Sequence, residues 1–358
     1  MTSRGPKSLG LHLAAAAGMW QAGIAAAPLA CIGVAPWTRN LSARGDDLAA
    51  RLRTAPPGPL AAALVAQSAR RLDDFLRGVE LYRNHPYRRP AETRDIVWQA
   101  GTTRVLGPLR NGPAAVLVVP SLINRWHILD LIPGTGFLSR LEDAGLAPYV
   151  VDWGDPGDEE ASFTMADYVA KRLEPAFDAI AAEHRSIGIA GYCLGGVLAL
   201  ALTQRKAKAA ASVMLVATPF DFARGRGMMA RLAMTAPFAE PLAAQFTAAG
   251  SVPADLVGMW LAMVEPGGVQ AKFRRFAGMD QASTDARNFV AVEDWSNDGI
   301  ALSNPAANEI FTRWPQTGVA LEIEPEQIRV PAMVVTASRD RLVPPASSKP
   351  LAAMQHHQ

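Results

Sequence analysis

The stretch Ile187-Gly-Ile-Ala-Gly-Tyr-Cys-Leu-Gly-Gly-Val-Leu-Ala-Leu200 decides how this chain is read. An apolar β-rich run, a turn built on glycines and a second apolar run follow one another. The spacing predicts a strand, a sharp turn and a helix, with Cys193 at the apex. Such a turn demands small residues at Gly191 and Gly195, because strand and helix approach too closely for a β-carbon. A helix beginning at Leu194 points its unpaired amides at the thiol, which predicts a lowered pKa and a favoured thiolate. The competing reading is a buried cysteine in a glycine-rich turn. The strand before it and the helix after it favour a nucleophile.

Around this elbow the chain alternates short apolar runs with helical ones. Strands are expected at Ala115–Val119, Pro148–Val151, Ile187–Ala190 and Val213–Ala217, with a fifth at Ala332–Thr336. Helices fall between them near 136–144, 165–184 and 196–204, each following a strand as right-handed crossovers require. The pattern is that of an α/β protein with a mostly parallel sheet covered on both faces, and the elbow makes it an α/β-hydrolase fold. The interval 219–324 breaks the rhythm and reads as a helical cap over the carboxyl edge of the sheet. Met228, Met229, Phe238, Phe246 and Trp260 supply it with apolar surface. Residues 1–105 read as a helical N-terminal extension preceding a catalytic domain at 106–358. Within it, Leu60 to Tyr82 carries apolar residues at helical spacing.

Acyl chemistry at Cys193 needs two amides for a tetrahedral oxyanion, one from the residue after the nucleophile and one from the loop after an earlier strand. Those positions are Leu194 and, within Pro120-Ser-Leu-Ile-Asn124, Ile123 in preference to Leu122. The acid that orients a histidine belongs in a loop after a late strand, which places Asp340 there. The histidine itself should follow one more helix and one more strand. His356 and His357 arrive too early for that position, and His127, beside the oxyanion loop, is either a substitute base or a polar pocket wall.

Composition narrows the function. Thirty-five basic against 33 acidic residues leave a net charge of +2 with no basic run, which argues against a nucleic-acid partner. Two cysteines far apart, Cys31 and Cys193, give no disulfide framework and suit a reducing cytoplasm. The histidines lack metal-ligand spacing, and no cofactor motif is present. Leu9 to Thr38 holds no charged residue apart from a possible proton on His12. Three readings fit that stretch: a membrane span weakened by its Ala and Gly content, a packed helix pair, or a surface lying on a lipid-like phase.

With these residues in hand, the chain resembles the poly(3-hydroxyalkanoate) synthases. The likeness runs through Phe75-Leu-Arg-Gly-Val-Glu-Leu-Tyr-Arg-Asn-His-Pro-Tyr-Arg-Arg-Pro90, Val119-Pro-Ser-Leu-Ile-Asn-Arg-Trp-His-Ile-Leu-Asp-Leu131, Val150-Val-Asp-Trp-Gly-Asp155, the cysteine elbow and Val292-Glu-Asp-Trp295. The resemblance maps the nucleophile onto Cys193, the acid onto Asp340 and the oxyanion loop pair onto Ile123 and Asn124. It implies a substrate pocket including Asn124, His127, Asp130 and Trp295. The short type of synthase, which works with an accessory subunit, is the nearer likeness. Implied partners are (R)-3-hydroxyacyl-CoA, the growing polyester, and an accessory subunit or a second copy, at the surface of cytoplasmic polyester granules. Synthases carry their histidine in a Gly-His pair after a final strand, whereas this chain reaches Gln358 first. The expectation is therefore a synthase missing its last strand and impaired in activity. Alternatives are a polyester depolymerase or thioesterase of the same fold, and a non-catalytic relative that binds granules or a synthase.

Overall fold

A computed structural model describes residues 5–7, 9–35, 37, 39–223, 250–262, 267–340 and 342–355. The chain divides into two compact units, Met1–Tyr87 with Glu265–Val290, and Arg88–Val264 with Ala291–Gln358.

The second unit is built on a seven-stranded sheet. Its strands are β1 (Ile96–Ala100), β2 (Thr103–Leu106), β3 (Ala114–Val119), β4 (Leu146–Asp152), β5 (Ile187–Tyr192) and β6 (Ala210–Val216). A separate antiparallel pair, β7 (Ser251–Val252) with β8 (Leu302–Ser303), precedes the last sheet strand, β9 (Ala332–Val335). The spatial order is β1-β2-β4-β3-β5-β6-β9. From β4 to β9 every pairing is parallel, while β1, β2 and β4 pair antiparallel. Central strands read as unbroken apolar runs because both faces are covered. Leu117, Val119, Ile189 and Leu215 enter one core, while Val118, Val150 and Ala190 enter the other with Trp126 and Leu138. That alternation is the period-2 geometry of a strand. The helix Leu194–Arg205 is buried over most of its length, which explains why it is apolar all round.

All five expected strands are present. The β1–β2 hairpin was not expected: its alternation is mixed with polar residues, and it turns at Gly101, whose φ of +54° suits glycine. It joins the sheet ahead of the expected boundary at 105/106, and the compact unit itself begins at Arg88. The helical run from Met165 ends at Ala181 and contains a π turn at Val169–Leu173.

The first unit is helical, with segments Leu9–Cys31, Ser42–Arg53, Pro57–Asn84 and Gly268–Ala277. Phe75, Val79 and Tyr82 on the third segment pack with Phe273 and Phe276 on the fourth, and the rings of Tyr82 and Phe273 meet edge-on at 5.6 Å. A β-carbon at Gly78 would overlap the Phe273 carbonyl, so glycine sets how closely these helices cross. Part of the interval expected as cap, 265–290, thus belongs to this helical unit. Met228, Met229, Phe238, Phe246 and the Trp260 side chain lie outside the described residues.

Candidate active site

The carboxyl ends of β3, β5, β6 and β9 deliver the loop at Pro120, the elbow at Cys193, the turn at Ala217–Thr218 and the segment Thr336–Asp340 to one edge of the sheet. In parallel sheets this edge collects ligand sites, because the loops following the strands converge there.

Cys193 sits at φ 53°, ψ −127°, a left-handed backbone conformation that costs a non-glycine residue roughly 1–3 kcal/mol. The surrounding structure holds it: its amide donates to the Val216 carbonyl at 2.9 Å, and its carbonyl accepts from the Gly196 amide at 2.9 Å. Three glycines make the turn possible. A β-carbon on Gly191 would collide with Gly196 and Ala199, one on Gly195 with the Val119 and Pro120 carbonyls, and one on Gly196 with the Thr218 side chain. The third requirement was not read from the sequence, since its cause lies on the neighbouring strand end.

The thiol's electrostatics correct the sequence expectation. Burial pushes the Cys193 thiol up to about 11; the Leu194 amide pulls the other way, the charge of Asp340 raises it further, and a hydrogen bond with the Ser121 side chain lowers it. The helix N-terminus therefore acts in the expected direction but is outweighed by desolvation. The residue as a whole is part exposed. Protein nevertheless surrounds the sulfur closely enough for burial to dominate. The thiol is then almost wholly protonated at pH 7. Tyr192 is pushed up to about 12 by burial, then by Cys193 and Asp340. Ionisation is disfavoured throughout this corner, chiefly because burial penalises charge of either sign, with the Asp340 carboxylate adding a smaller bias against further negative charge.

The loop after β3 is clamped from several sides. The Trp153 indole donates to the Pro120 carbonyl at 3.1 Å and the Trp295 indole to the Arg125 carbonyl at 2.7 Å. The Asn124 side-chain amide donates to the carbonyls of Trp295 and Ser296, each at 3.4 Å. The Ile300 amide donates to the Ile123 carbonyl at 3.0 Å, and Arg125 pairs with Asp155 at 2.6 Å. The Ile123 amide, expected to await an oxyanion, donates to the Ser121 hydroxyl at 3.2 Å. Ser121 is buried and contacts both this amide and the Cys193 thiol, yet sequence reasoning gave it no role. The available signal was a hydroxyl two residues before the oxyanion position, in a loop facing the nucleophile.

A cavity of about 130 Å³ opens over the thiol. Cys193, Leu194, Ser121, Ile123, Asn124 and Tyr192 line one part of it; Phe222, Leu261, Trp295, Ile310, Phe311, Leu342 and Val343 make most of the remaining wall apolar, with Ser347 the polar exception. Asp340 does not line the cavity, but its charge acts on both Cys193 and Tyr192. Its Oδ1 accepts the amides of Leu342 and Val343, both at 2.8 Å, which fixes the turn.

Two residues expected in the pocket are placed elsewhere. His127 does not line the cavity; its ring packs on Trp126 at 4.8 Å, and burial, then the Arg89 charge, push its pKa down to about 4. Asp130 is buried, accepts the Ser139 hydroxyl at 3.0 Å and lies 3.9 Å from Arg94, which pairs with Glu142 at 2.9 Å. It does not line the cavity. His356 and His357 lie outside the described residues. Among the described residues no histidine lines the cavity, and no group of three or more His, Cys, Asp or Glu could hold a metal ion.

Residues 125–358 match the model of the Alpha/beta hydrolase family. The poly(3-hydroxyalkanoate) polymerase subunit PhaC of Haloferax mediterranei is 26% identical over 248 residues, covering 66% of this chain and 50% of that protein. Its counterpart from Haloarcula marismortui is 28% identical over 248 residues, covering 66% and 52%. The subunit from Cupriavidus necator is 35% identical over 116 residues, covering 30% and 19%. The chain thus spans about half the length of these first two relatives. Among solved structures, a mutant of an epoxide hydrolase from Bacillus megaterium aligns at TM-score 0.47 and 12% identity, covering 73% of this chain and 87% of that one. An alpha/beta fold family hydrolase from Bacillus anthracis aligns at 0.45 and 14%, covering 74% and 88%.

Proposed function

Since the chain belongs to the alpha/beta hydrolase family and is a member of the poly(3-hydroxyalkanoate) polymerase family within it, we propose that it transfers (R)-3-hydroxyacyl groups from coenzyme A to a growing polyester through a thioester on Cys193. The supporting observation is a cysteine held at positive φ on a strand–helix elbow, open to an apolar cavity. In the first step the Cys193 sulfur attacks the acyl carbonyl. The carbon–sulfur bond to coenzyme A breaks, and the thiol proton leaves on the coenzyme's sulfur. The Leu194 amide is the nearer donor to the oxyanion. The Ile123 amide becomes the second donor once it turns from Ser121. In the second step the hydroxyl of an acyl unit attacks the Cys193 thioester, an ester bond forms, and the proton returns to the sulfur. A thioester keeps the acyl group as activated as it was on coenzyme A, so ester formation stays downhill.

An apolar wall favours a hydroxyacyl acceptor over water, which sets this reading ahead of a depolymerase or thioesterase. One observation favours a different reading: with the thiol pushed up to about 11 and no described histidine in the wall, the chain on its own would bind an acyl ligand without turning it over. Thiol release from (R)-3-hydroxybutyryl-CoA, measured for the chain and for Cys193→Ala, separates the two. Cys193-dependent release supports the transferase. Acyl-CoA binding without release supports the binding protein.

A further inference from the structure

The family match begins at residue 125, so it assigns nothing to the N-terminal helices. The 23-residue helix Leu9–Cys31 is about 34 Å long at ~1.5 Å per residue, comparable with the ~30 Å hydrocarbon core of a bilayer. Only Ala16 and Ala30 on it are buried, and its most apolar 18-residue window is 11% buried. A helix packed along one face of a soluble protein is polar on the other face. This one is apolar on nearly every side, with Leu11 43% and Leu29 47% exposed, and the exposed apolar surface continues through Ile32, Val34 and Trp37. Charge resumes immediately beyond: four exposed arginines, Arg39, Arg44, Arg51 and Arg53, stand against Asp46 and Asp47. An indole followed by guanidinium groups is the composition of a polypeptide at a membrane interface, where aromatic rings sit at headgroup level and cations meet phosphate.

A second, independent feature lies in the same unit. A cavity of about 460 Å³ opens among Ile24, Pro28, Cys31, Leu52 and Leu60, with Arg53 in its wall. One Arg53 guanidinium nitrogen reaches over Gly33, at the end of the apolar helix. A carbon-lined hole beneath a guanidinium matches an acyl chain attached to an anionic headgroup.

We propose that the N-terminal unit binds anionic phospholipid bilayers, embedding the apolar surface of Leu9–Cys31 and seating an acyl chain in the cavity beside Arg53. This does not rest on the polymerase reading. The test is flotation of the full chain with vesicles of phosphatidylglycerol and phosphatidylcholine, with pure phosphatidylcholine vesicles, and with bare poly(3-hydroxybutyrate) particles. Binding to the anionic vesicles should exceed binding to the neutral ones by roughly ten-fold or more at low salt, given several arginines at about ten-fold or less each. The double variant Leu11→Glu, Leu29→Glu should abolish flotation while keeping wild-type circular dichroism, because both side chains are exposed. Arg53→Glu should weaken anionic binding selectively. Equal binding to both vesicles, binding to polyester particles alone, or no binding to any surface overturns the proposal. So does self-association of the free chain that the glutamates abolish without any vesicle binding.

Discussion

Replacing Ser121 with alanine should slow alkylation of Cys193. The wild-type hydroxyl is buried, accepts the Ile123 amide and lines the same cavity as Cys193; with the Leu194 amide it opposes the desolvation that keeps the sulfur protonated. A hydrogen bond to an ionised group is worth roughly 1.5–3 kcal/mol net, and about 1.4 kcal/mol is a factor of ten in the thiolate population. The lower end of that range already predicts about ten-fold slower reaction with iodoacetamide at fixed pH. The rate is read by mass spectrometry of the Cys193 peptide in the full-length chain, with Cys193→Ala as the blank. Ser121→Thr, which keeps the hydroxyl, should recover most of the rate. Exchange of the Ile123 amide proton should accelerate in Ser121→Ala and stay slow in Ser121→Thr. An alkylation rate in Ser121→Ala equal to wild type, with the fold intact by thermal melt, refutes the claim that this hydroxyl sets the reactivity of the thiol.

Other consequences follow from the same geometry. The folded thiol titrates higher than an unfolded one, so the folded state holds its proton more tightly and loses stability as pH rises from about 9 toward about 11. Cys193→Ala should flatten that alkaline limb in urea titrations, by less than ~1.4 kcal/mol per pH unit because the residue is part exposed. His127 shows the opposite sign: kept neutral down to about pH 4 when folded but protonated near 6.5 when unfolded, it makes stability fall as pH drops between those values. His127→Gln should flatten this acid limb of the unfolding curve while leaving any Cys193-dependent release unchanged. Gly196→Ala would gain up to ~1 kcal/mol of helix propensity, yet its β-carbon meets Thr218 Cγ2 at 2.6 Å and overlaps the hydroxyl beside it. Overpacking of that kind costs about 1–3 kcal/mol, so a net fall in melting temperature is expected by calorimetry.

The elbow, the parallel strands and the loops after β3 and β9 were legible because each depends on local pattern: apolar runs in a doubly covered sheet, and glycines where backbone meets backbone. What sequence missed depends on neighbours distant along the chain. The direction of the Cys193 shift is decided by how much protein surrounds the sulfur, which no spacing reveals. His127 and Asp130 lie in the same short segment as Ile123 and Asn124, yet the turn of Trp126–Asp130 carries them away from the cavity, His127 onto Trp126 and Asp130 toward Ser139 and Arg94. Helix Gly268–Ala277 read as cap because it lies between β6 and β9 in sequence; Phe273 and Phe276 pack instead with Phe75 and Tyr82.

Acyl transfer at this site requires Cys193 to carry the acyl group. Incubating the full chain with (R)-3-hydroxybutyryl-CoA and determining its intact mass after rapid acid quench tests this directly. A single hydroxybutyryl adduct, or a ladder of them, is expected on the Cys193 peptide and is absent from Cys193→Ala. An adduct that persists in Cys193→Ala, or coenzyme A release in the absence of the thiol, would contradict it.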